Sequence, residues 1–113
     1  GPGFAEFRVR PALASGLEKV FASVETPRGR LETGWVIDQG RMTLQLRVPW
    51  NAAAWLELPT DWMKRVGTMG ESGRAIWRAG VFNPGADGVE EGRHDGDFIR
   101  FRIRSGSYRF QMG

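Results

Sequence analysis

The chain of 113 residues contains no cysteine and a single histidine, and these two shortages exclude several kinds of site. Without thiols there is no disulfide framework, no thiolate-bound metal and no cysteine nucleophile. One histidine leaves little material for imidazole-based catalysis. The compartment stays open, because both cytosolic and extracellular proteins can lack cysteine.

Long apolar runs are also missing. No stretch approaches the roughly 20 residues that a membrane helix needs, and no basic and then apolar leader precedes the first predicted strand. We therefore expect no membrane partner, and the localisation is left undetermined. Gly1 and Pro2 have the sequence of a protease-cleavage remnant. Residues 1–3 are accordingly set aside, and residues 4–113 are expected to form one domain.

Lysine is scarce, so the basic charge comes almost entirely from arginine. The chain has 14 Arg and 2 Lys, with a net charge of +3. Glu and Asp alternate with Arg along most of the sequence, whereas a nucleic-acid surface groups its cations on one face. The densest group, Arg100, Arg102, Arg104 and Arg109, is predicted on the outward face of a hairpin. We expect a solvated strand face there and no nucleic-acid partner.

What the sequence does have is alternation of apolar and polar residues. In residues 41–48 and again in 98–104, apolar side chains fall on one face and polar ones on the other, which predicts half-buried antiparallel strands. Short strands with one apolar face each close most readily as a two-sheet sandwich. Further strands are predicted at residues 5–10, 19–26, 30–38 and 52–58, and a last one carries Tyr108, Phe110 and Met112 on its core side.

Turn residues separate these strands. In the Thr26-Pro27-Arg28-Gly29 hairpin, Pro27 restricts φ and Gly29 takes a conformation that a side chain would oppose. Gly34 is expected to leave room for Trp35 to lie across the core between the sheets. Other turns are predicted at Gln39-Gly40, Pro49-Trp50-Asn51 and Ser105-Gly106.

The alternation weakens between Pro59 and Asp97. Residues 61–66 are predicted to form at most one short helical turn with Asp61 as its cap. Residues 74–82 are predicted to hold one or two short strands. Residues 85–96, rich in Gly, Asp and Glu, are predicted to be an exposed and mobile loop.

No cluster of residues has the spacing of a catalytic or metal site. His94, Asp95 and Asp97 are close in sequence, but alternate strand positions point to opposite faces and the run lacks the order of a calcium loop. Glu90 and Glu91 are explained more simply as charges of a loop. We therefore expect no catalytic residue, no metal and no cofactor in this chain.

Tryptophan is abundant for so small a domain, with five in all. Trp35 shares its strand face with apolar neighbours and is predicted to be core. Trp55 is predicted to face outward, where its partner is a glycan, a neighbouring domain or an adjacent arginine. Trp50, Trp55, Trp62 and Trp77 are thus candidate contacts with another domain or with a sugar.

The order of motifs resembles the C-terminal domain of bacterial α-L-rhamnosidases of glycoside hydrolase family 78. The resemblance runs from about Phe7 to the end of the chain, and six motifs in order make it fairly specific. They are Thr26-Pro27-Arg28-Gly29, Gly34-Trp35, Val48-Pro49-Trp50-Asn51-Ala52-Ala53-Ala54 leading to Leu58-Pro59, Glu71-Ser72-Gly73-Arg74, Gly80-Val81, and Ser105-Gly106-Ser107-Tyr108-Arg109-Phe110.

This resemblance implies an all-β, antiparallel Greek-key β-sandwich of about seven to nine strands. Such a domain follows an (α/α)₆ catalytic barrel in an enzyme that removes terminal α-L-rhamnose with inversion. The acid and base carboxylates of the family lie in that barrel, so none of them carries over to this chain. The structural motif residues that do match are Pro27, Gly29, Gly34, Trp35, Gly106, Tyr108 and Phe110.

Three functions follow as hypotheses. The first is a non-catalytic accessory domain that packs on and stabilises the barrel of its parent chain. The second is a carbohydrate-binding module that contacts rhamnose-containing glycans through exposed tryptophans. The third is a stand-alone interaction protein. Because other enzymes with such a barrel carry similar sandwiches, an α-L-fucosidase-like parent is a second choice.

Overall fold

Nine strands and one short helix follow one another along residues 5–11 and 19–113, the part of the chain that this computed structural model describes. The proposed cleavage remnant at residues 1–3 lies outside the described residues. In chain order the elements are β1 (Ala5–Val9), β2 (Lys19–Thr26), β3 (Gly29–Asp38), β4 (Arg41–Pro59), α1 (Thr60–Val66), β5 (Thr68–Glu71), β6 (Arg74–Arg78), β7 (Val81–Phe82), β8 (Val89–Asp95) and β9 (Phe98–Met112).

Two long antiparallel strands, β4 and β9, connect the two layers of the fold. Up to Val48, β4 pairs with β3 and with the second half of β9, and this first sheet continues through β5, β6 and β7. From Ala53 onward, β4 pairs with β1 and with the first half of β9, and β8 pairs with β9 as an edge strand. These strands form the second sheet. The pairing of β1 with β4 is parallel, while the other pairings are antiparallel.

The inner faces of the two sheets form one apolar core. Aromatic contacts cross between the layers, since Trp77 of β6 meets Phe101 of β9 edge to face and Phe82 of β7 also reaches that ring. Gly92 of β8 lies where an added Cβ would come within 2.7 Å of both Phe82 and Phe101. The all-β sandwich predicted from alternation is therefore confirmed.

The strand order also has the Greek-key arrangement. Strands β5, β6 and β7 are neighbours in the first sheet and consecutive in the chain, and β9 returns to lie beside β5. A Greek key is defined by three consecutive neighbouring strands and a later strand that returns to lie beside the first of them. Along the described residues, no helix is long and apolar enough to cross a membrane.

Two predicted turns are wrong. Pro49-Trp50-Asn51 and Ser105-Gly106 lie inside β4 and β9, and the pairing of these strands shifts register between Val48 and Ala53. Asn51 and Gly106 take positive φ values of 58° and 142°. Proline, asparagine and glycine mark a strand irregularity as readily as a turn, because both need backbone outside the β region. Here they mark the region where both strands pass from one sheet to the other.

The predicted mobile loop at residues 85–96 is also wrong over much of its length, since Val89–Asp95 forms β8 against β9. Its charged side chains face solvent and its pairing with β9 was not visible in local composition. Strand β5 was not predicted at all. The short helix is confirmed, but Asp61 lies in its first turn and makes no cap. Instead, the Thr60 hydroxyl donates a hydrogen bond to the carbonyl of Gly96.

The first hairpin forms as predicted, with a two-residue loop of Pro27 and Arg28 between paired Thr26 and Gly29. Gly29 has φ of 121°, and the Thr26 hydroxyl donates to its carbonyl oxygen at 2.6 Å. Gly34 lies further along β3. The space above it is taken by the ring of Phe21 on the paired strand, 3.2 Å from where a Cβ would stand.

Candidate functional site

The five tryptophans fall into three environments. Trp35 and Trp77 are buried, with 2% and 5% of their surface exposed, so Trp77 drops out of the candidate surface set. Trp55 and Trp62 are half-buried, and Trp62 packs against the core. Only Trp50 is widely exposed, at 80%.

Trp55 faces outward from the second sheet, and arginines cover its ring. The guanidinium carbon of Arg100 lies 4.3 Å from the ring centroid and that of Arg93 lies 5.3 Å from it. Both distances are within the range of cation–π attraction. Of the three partners that its sequence position left open, the adjacent arginine is the one seen here.

Next to Trp55 on the same face is a buried carboxylate, Glu57, which no motif in the sequence had indicated. Only 2% of this residue is exposed. Its two oxygens accept hydrogen bonds from Nε of Arg10 at 2.7 Å and Nε of Arg100 at 2.6 Å, and Nε of Arg8 forms an ion pair with it at 3.2 Å. Because β1 and β9 flank β4, the parallel β1 pairing brings the two N-terminal arginines to this position.

The other arginines of this face also have carboxylate partners. Arg102 pairs with Glu6 and Glu90, and Arg104 pairs with Asp87. Each of the three arginines that β9 places on this face, Arg100, Arg102 and Arg104, therefore has its charge balanced by at least one carboxylate. Arg109, which the sequence analysis grouped with it, lies on the other sheet because β9 passes between the two layers.

The Glu57 cluster makes stability depend on pH. Desolvation opposes ionisation of this carboxyl, but hydrogen bonds from Arg10 and Arg100 outweigh it and hold the pKa of Glu57 below the ordinary 4.5. A carboxyl whose pKa is lower in the folded state contributes stability above its unfolded pKa and loses it as pH falls through the folded pKa. Between pH 5 and pH 3, we expect unfolding by guanidinium chloride to show a steeper loss of stability in the natural chain than in Glu57→Gln. Parallel pH profiles for the two proteins would contradict this.

Trp50 lies within the irregular segment of β4. Its neighbour Pro49 is buried, and an added Cβ on Gly29 would come within 3.3 Å of Pro49, so this segment lies against the β2–β3 hairpin. Asn51 follows with positive φ. The irregularity interrupts the alternation of faces and leaves the largest side chain of the segment in solvent.

A groove of about 360 Å³ crosses the outward face of the first sheet. Among the described residues that line it, Phe21, 69% exposed, and Tyr108 are the aromatic ones. Tyr108 itself donates from its hydroxyl to the carbonyl of Arg104 at 2.7 Å, and its ring stacks on that of the buried Phe110. The rest of the lining is mostly polar: Glu32, Thr33, Gln45, Arg47, Ser72, Ser107 and Arg109.

A second cavity of about 340 Å³ lies beside α1, with Trp77, Met63 and Ile99 among its apolar lining and Lys64 and His94 among its polar groups. His94 contacts the carbonyl oxygen of Gly96 through Nε2 at 2.8 Å, and Asp95 pairs with Arg100. Within residues 5–11 and 19–113, no three His, Asp or Glu side chains are placed to hold a metal ion.

Comparison with known proteins shows that the chain is similar to short parts of much longer proteins. The family model described as the bacterial alpha-L-rhamnosidase C-terminal domain matches residues 1–74. A protein of Formosa agariphila named alpha-L-rhamnosidase is 32% identical over 56 residues, which are 50% of this chain and 6% of that protein.

Two solved structures share the fold. The alpha-L-rhamnosidase from Dictyoglumus thermophilum aligns with a TM-score of 0.68 and 22% identity, over 93% of this chain and 11% of that one. The Streptomyces avermitilis alpha-L-rhamnosidase complexed with L-rhamnose aligns with a TM-score of 0.60 and 20% identity, over 87% of this chain and 8% of that one. The structural likeness thus extends beyond residue 74, into the last strands of the sandwich.

Proposed function

Because the chain belongs to the family of bacterial α-L-rhamnosidase C-terminal domains, we propose that it is a non-catalytic accessory domain that packs on and stabilises an (α/α)₆ catalytic barrel. In this proposal the barrel carries the acid and base carboxylates and removes terminal α-L-rhamnose with inversion. The sandwich contributes a rigid support to that reaction and no chemical group.

The observation that carries the proposal is the exposure of Trp50. Trp50 has 80% of its surface in contact with solvent, and tryptophan is among the residues that most often anchor protein interfaces. The relatives are long enough to supply a partner, since this chain spans only 6% of the curated relative and about a tenth of the solved structures. A neighbouring domain of the same polypeptide would cover the indole without any cost of bringing two molecules together.

Replacing Trp50 by alanine in the full-length enzyme tests this contact. We expect the stabilisation of the catalytic unit by this domain to fall by about 2 kcal/mol, the usual effect of removing a tryptophan anchor. Calorimetry of the full-length protein would show a lower unfolding midpoint, while the 113-residue chain alone would unfold at an unchanged temperature. Val81→Ala, at an exposed valine of another strand, is the matched control. An unchanged midpoint for Trp50→Ala would count against docking through this residue.

Carbohydrate binding through exposed tryptophans is the second candidate, and the exposure of Trp50 fits it as well. Two other tryptophans proposed for sugar contact fit this function less well, because Trp77 is buried and arginines cover Trp55. A sugar site needs polar side chains converging on the ring face. Among the described surface features, the groove around Phe21 has that combination.

A further inference from the structure

The groove on the first sheet differs chemically from the outward face of the second. On the second sheet, each arginine of β9 has a carboxylate partner. In the groove, Arg47 and Arg109 make no ion pair within the described part of the chain. Their guanidinium groups therefore retain hydrogen-bond donors that a ligand could use.

Phe21 forms an aromatic platform in this polar groove. Its ring lies against the bare backbone of Gly34, with Cδ2 3.2 Å from the position that a Cβ would occupy. Glycine at this position lets the aromatic side chain of the paired strand lie close to the sheet. The ring still has 69% of its surface exposed, so an apolar face is available to a ligand.

The polar side chains of the groove surround this platform on neighbouring strands. Gln45 is paired with Gly34 on one side and with Arg109 on the other, and Arg47 is paired with Glu32 and with Ser107. Directly opposed residues have Cβ atoms about 5 Å apart, and diagonal neighbours about 7–8 Å. Arginine donates, glutamate accepts, and glutamine does both. Such a mixed set matches vicinal hydroxyl groups, each of which donates and accepts.

We propose that this groove binds the ring of a neutral saccharide, with an apolar C–H face on Phe21 and hydroxyl groups on Gln45, Arg47 and Arg109. The identity of the sugar as a 6-deoxyhexose of the rhamnose type rests on the proposed function. The groove volume of about 360 Å³ lies at the lower end of small-molecule sites, as a shallow site for one or two rings requires. The site would hold part of a glycan near the catalytic barrel without taking part in cleavage.

The mixed lining favours a sugar over a domain contact at this place. A stable interface between domains has an apolar centre with few charged groups. This groove has one exposed aromatic ring among charged and amide side chains, while Trp50 is the most exposed of the large apolar residues. The two features therefore suit different partners.

Titration of the ¹⁵N-labelled 113-residue chain with L-rhamnose, followed by amide chemical shifts, tests the proposal. We expect saturable shifts at Gly34, Gln45 and Arg109, with a Kd of about 1 mM. Phe21→Ala should weaken binding at least about tenfold while the remaining spectrum shows a native fold, and Arg109→Ala should do the same. Val81→Ala should bind as the natural chain does.

Absence of shifts at these residues up to about 50 mM L-rhamnose, far above that Kd, would overturn the proposal. So would shifts that persist in both groove variants, or binding of D-galacturonate in place of L-rhamnose, because the latter would assign the unpaired arginines to an anionic ligand. The Trp50→Ala calorimetry is independent of these results. If the groove does not bind sugar, the proposal that Trp50 docks on a neighbouring domain is unaffected. If Trp50→Ala does not change the unfolding midpoint, the chemical shifts measured with L-rhamnose remain valid evidence for the groove.

Discussion

Replacement of Glu57 by alanine is expected to lower the free energy of unfolding of this domain by about 3 kcal/mol. The carboxylate is 2% exposed and serves three arginines, of which Arg100 is itself only 20% exposed in its side chain. Removing Glu57 leaves the largely buried Arg100 with the exposed Asp95 as its remaining carboxylate partner, and this loss of compensation for a buried charge is what makes the change costly. Arg8 and Arg10 can turn toward water, which keeps the expected loss at the lower end of the range for buried pairs.

Chemical denaturation of the purified domain measures this effect. Glu25→Ala is the matched control, because Glu25 also pairs with an arginine, Arg30, but both side chains are exposed. Surface pairs of this kind contribute little to stability, so the control should unfold close to the natural chain. Equal midpoints for Glu57→Ala and Glu25→Ala would show that the cluster contributes no more than an ordinary surface pair.

Replacement of Phe101 by alanine is expected to cost about 4 kcal/mol, which is most of the stability of many domains of this size. Phe101 is fully buried and lies between the sheets, with Trp77 at 5.7 Å and Phe82 at 6.4 Å between ring centroids. Gly92 provides no side chain that could fill the space left behind. The variant is therefore expected to be partly unfolded at 37 °C, as its far-ultraviolet and near-ultraviolet circular dichroism would show.

Phe21→Ala is the control for this experiment, since it removes the same atoms from an exposed position. We expect only a small change in its unfolding midpoint, because most of the Phe21 ring is already in contact with water. A Phe101 variant as stable as the Phe21 variant would mean that the two sheets do not pack through this ring.

The strands that could be predicted from sequence are those with one buried face and one solvent-exposed face. Residues 41–48 and 98–104 alternate because a core lies on one side of them only, and local sequence carries that information. Strand β8 could not be found in this way. Within β8, Val89 is the one buried apolar side chain, and the residue paired with Phe101 is Gly92, so no apolar alternation runs along this strand.

The irregular segments of β4 and β9 show a second limit of local sequence. Asn51 and Gly106 need unusual backbone angles, and sequence alone reports that need. It does not report that the two strands remain paired on both sides of the irregularity. The same residue types occur in turns and in strands that pass from one sheet to the other. Only the long-range pairing of the strands distinguishes the two cases.

Surface features also divide into those that local sequence predicts and those that depend on long-range strand pairing. The outward position of Trp55 could be predicted from its phase in the strand, and an adjacent arginine was among its expected partners. The burial of Glu57 could not, because it depends on β1 and β9 bringing arginines to both sides of β4. Phe21 was missed because its position opposite Gly34 depends on the register of the hairpin. A glycine paired with an aromatic residue across a predicted hairpin would have been the signal.

Calorimetry of the full-length protein proposed as the parent, compared with the same protein lacking this domain, tests most directly whether the domain stabilises a catalytic unit. We expect the unfolding transition of the catalytic unit to move to lower temperature by several degrees when the sandwich is removed, corresponding to about 2 kcal/mol or more of lost interface. Activity on a small rhamnoside should be retained at temperatures where the truncated enzyme is folded. A catalytic unit that unfolds at the same temperature with and without the sandwich would contradict the accessory role.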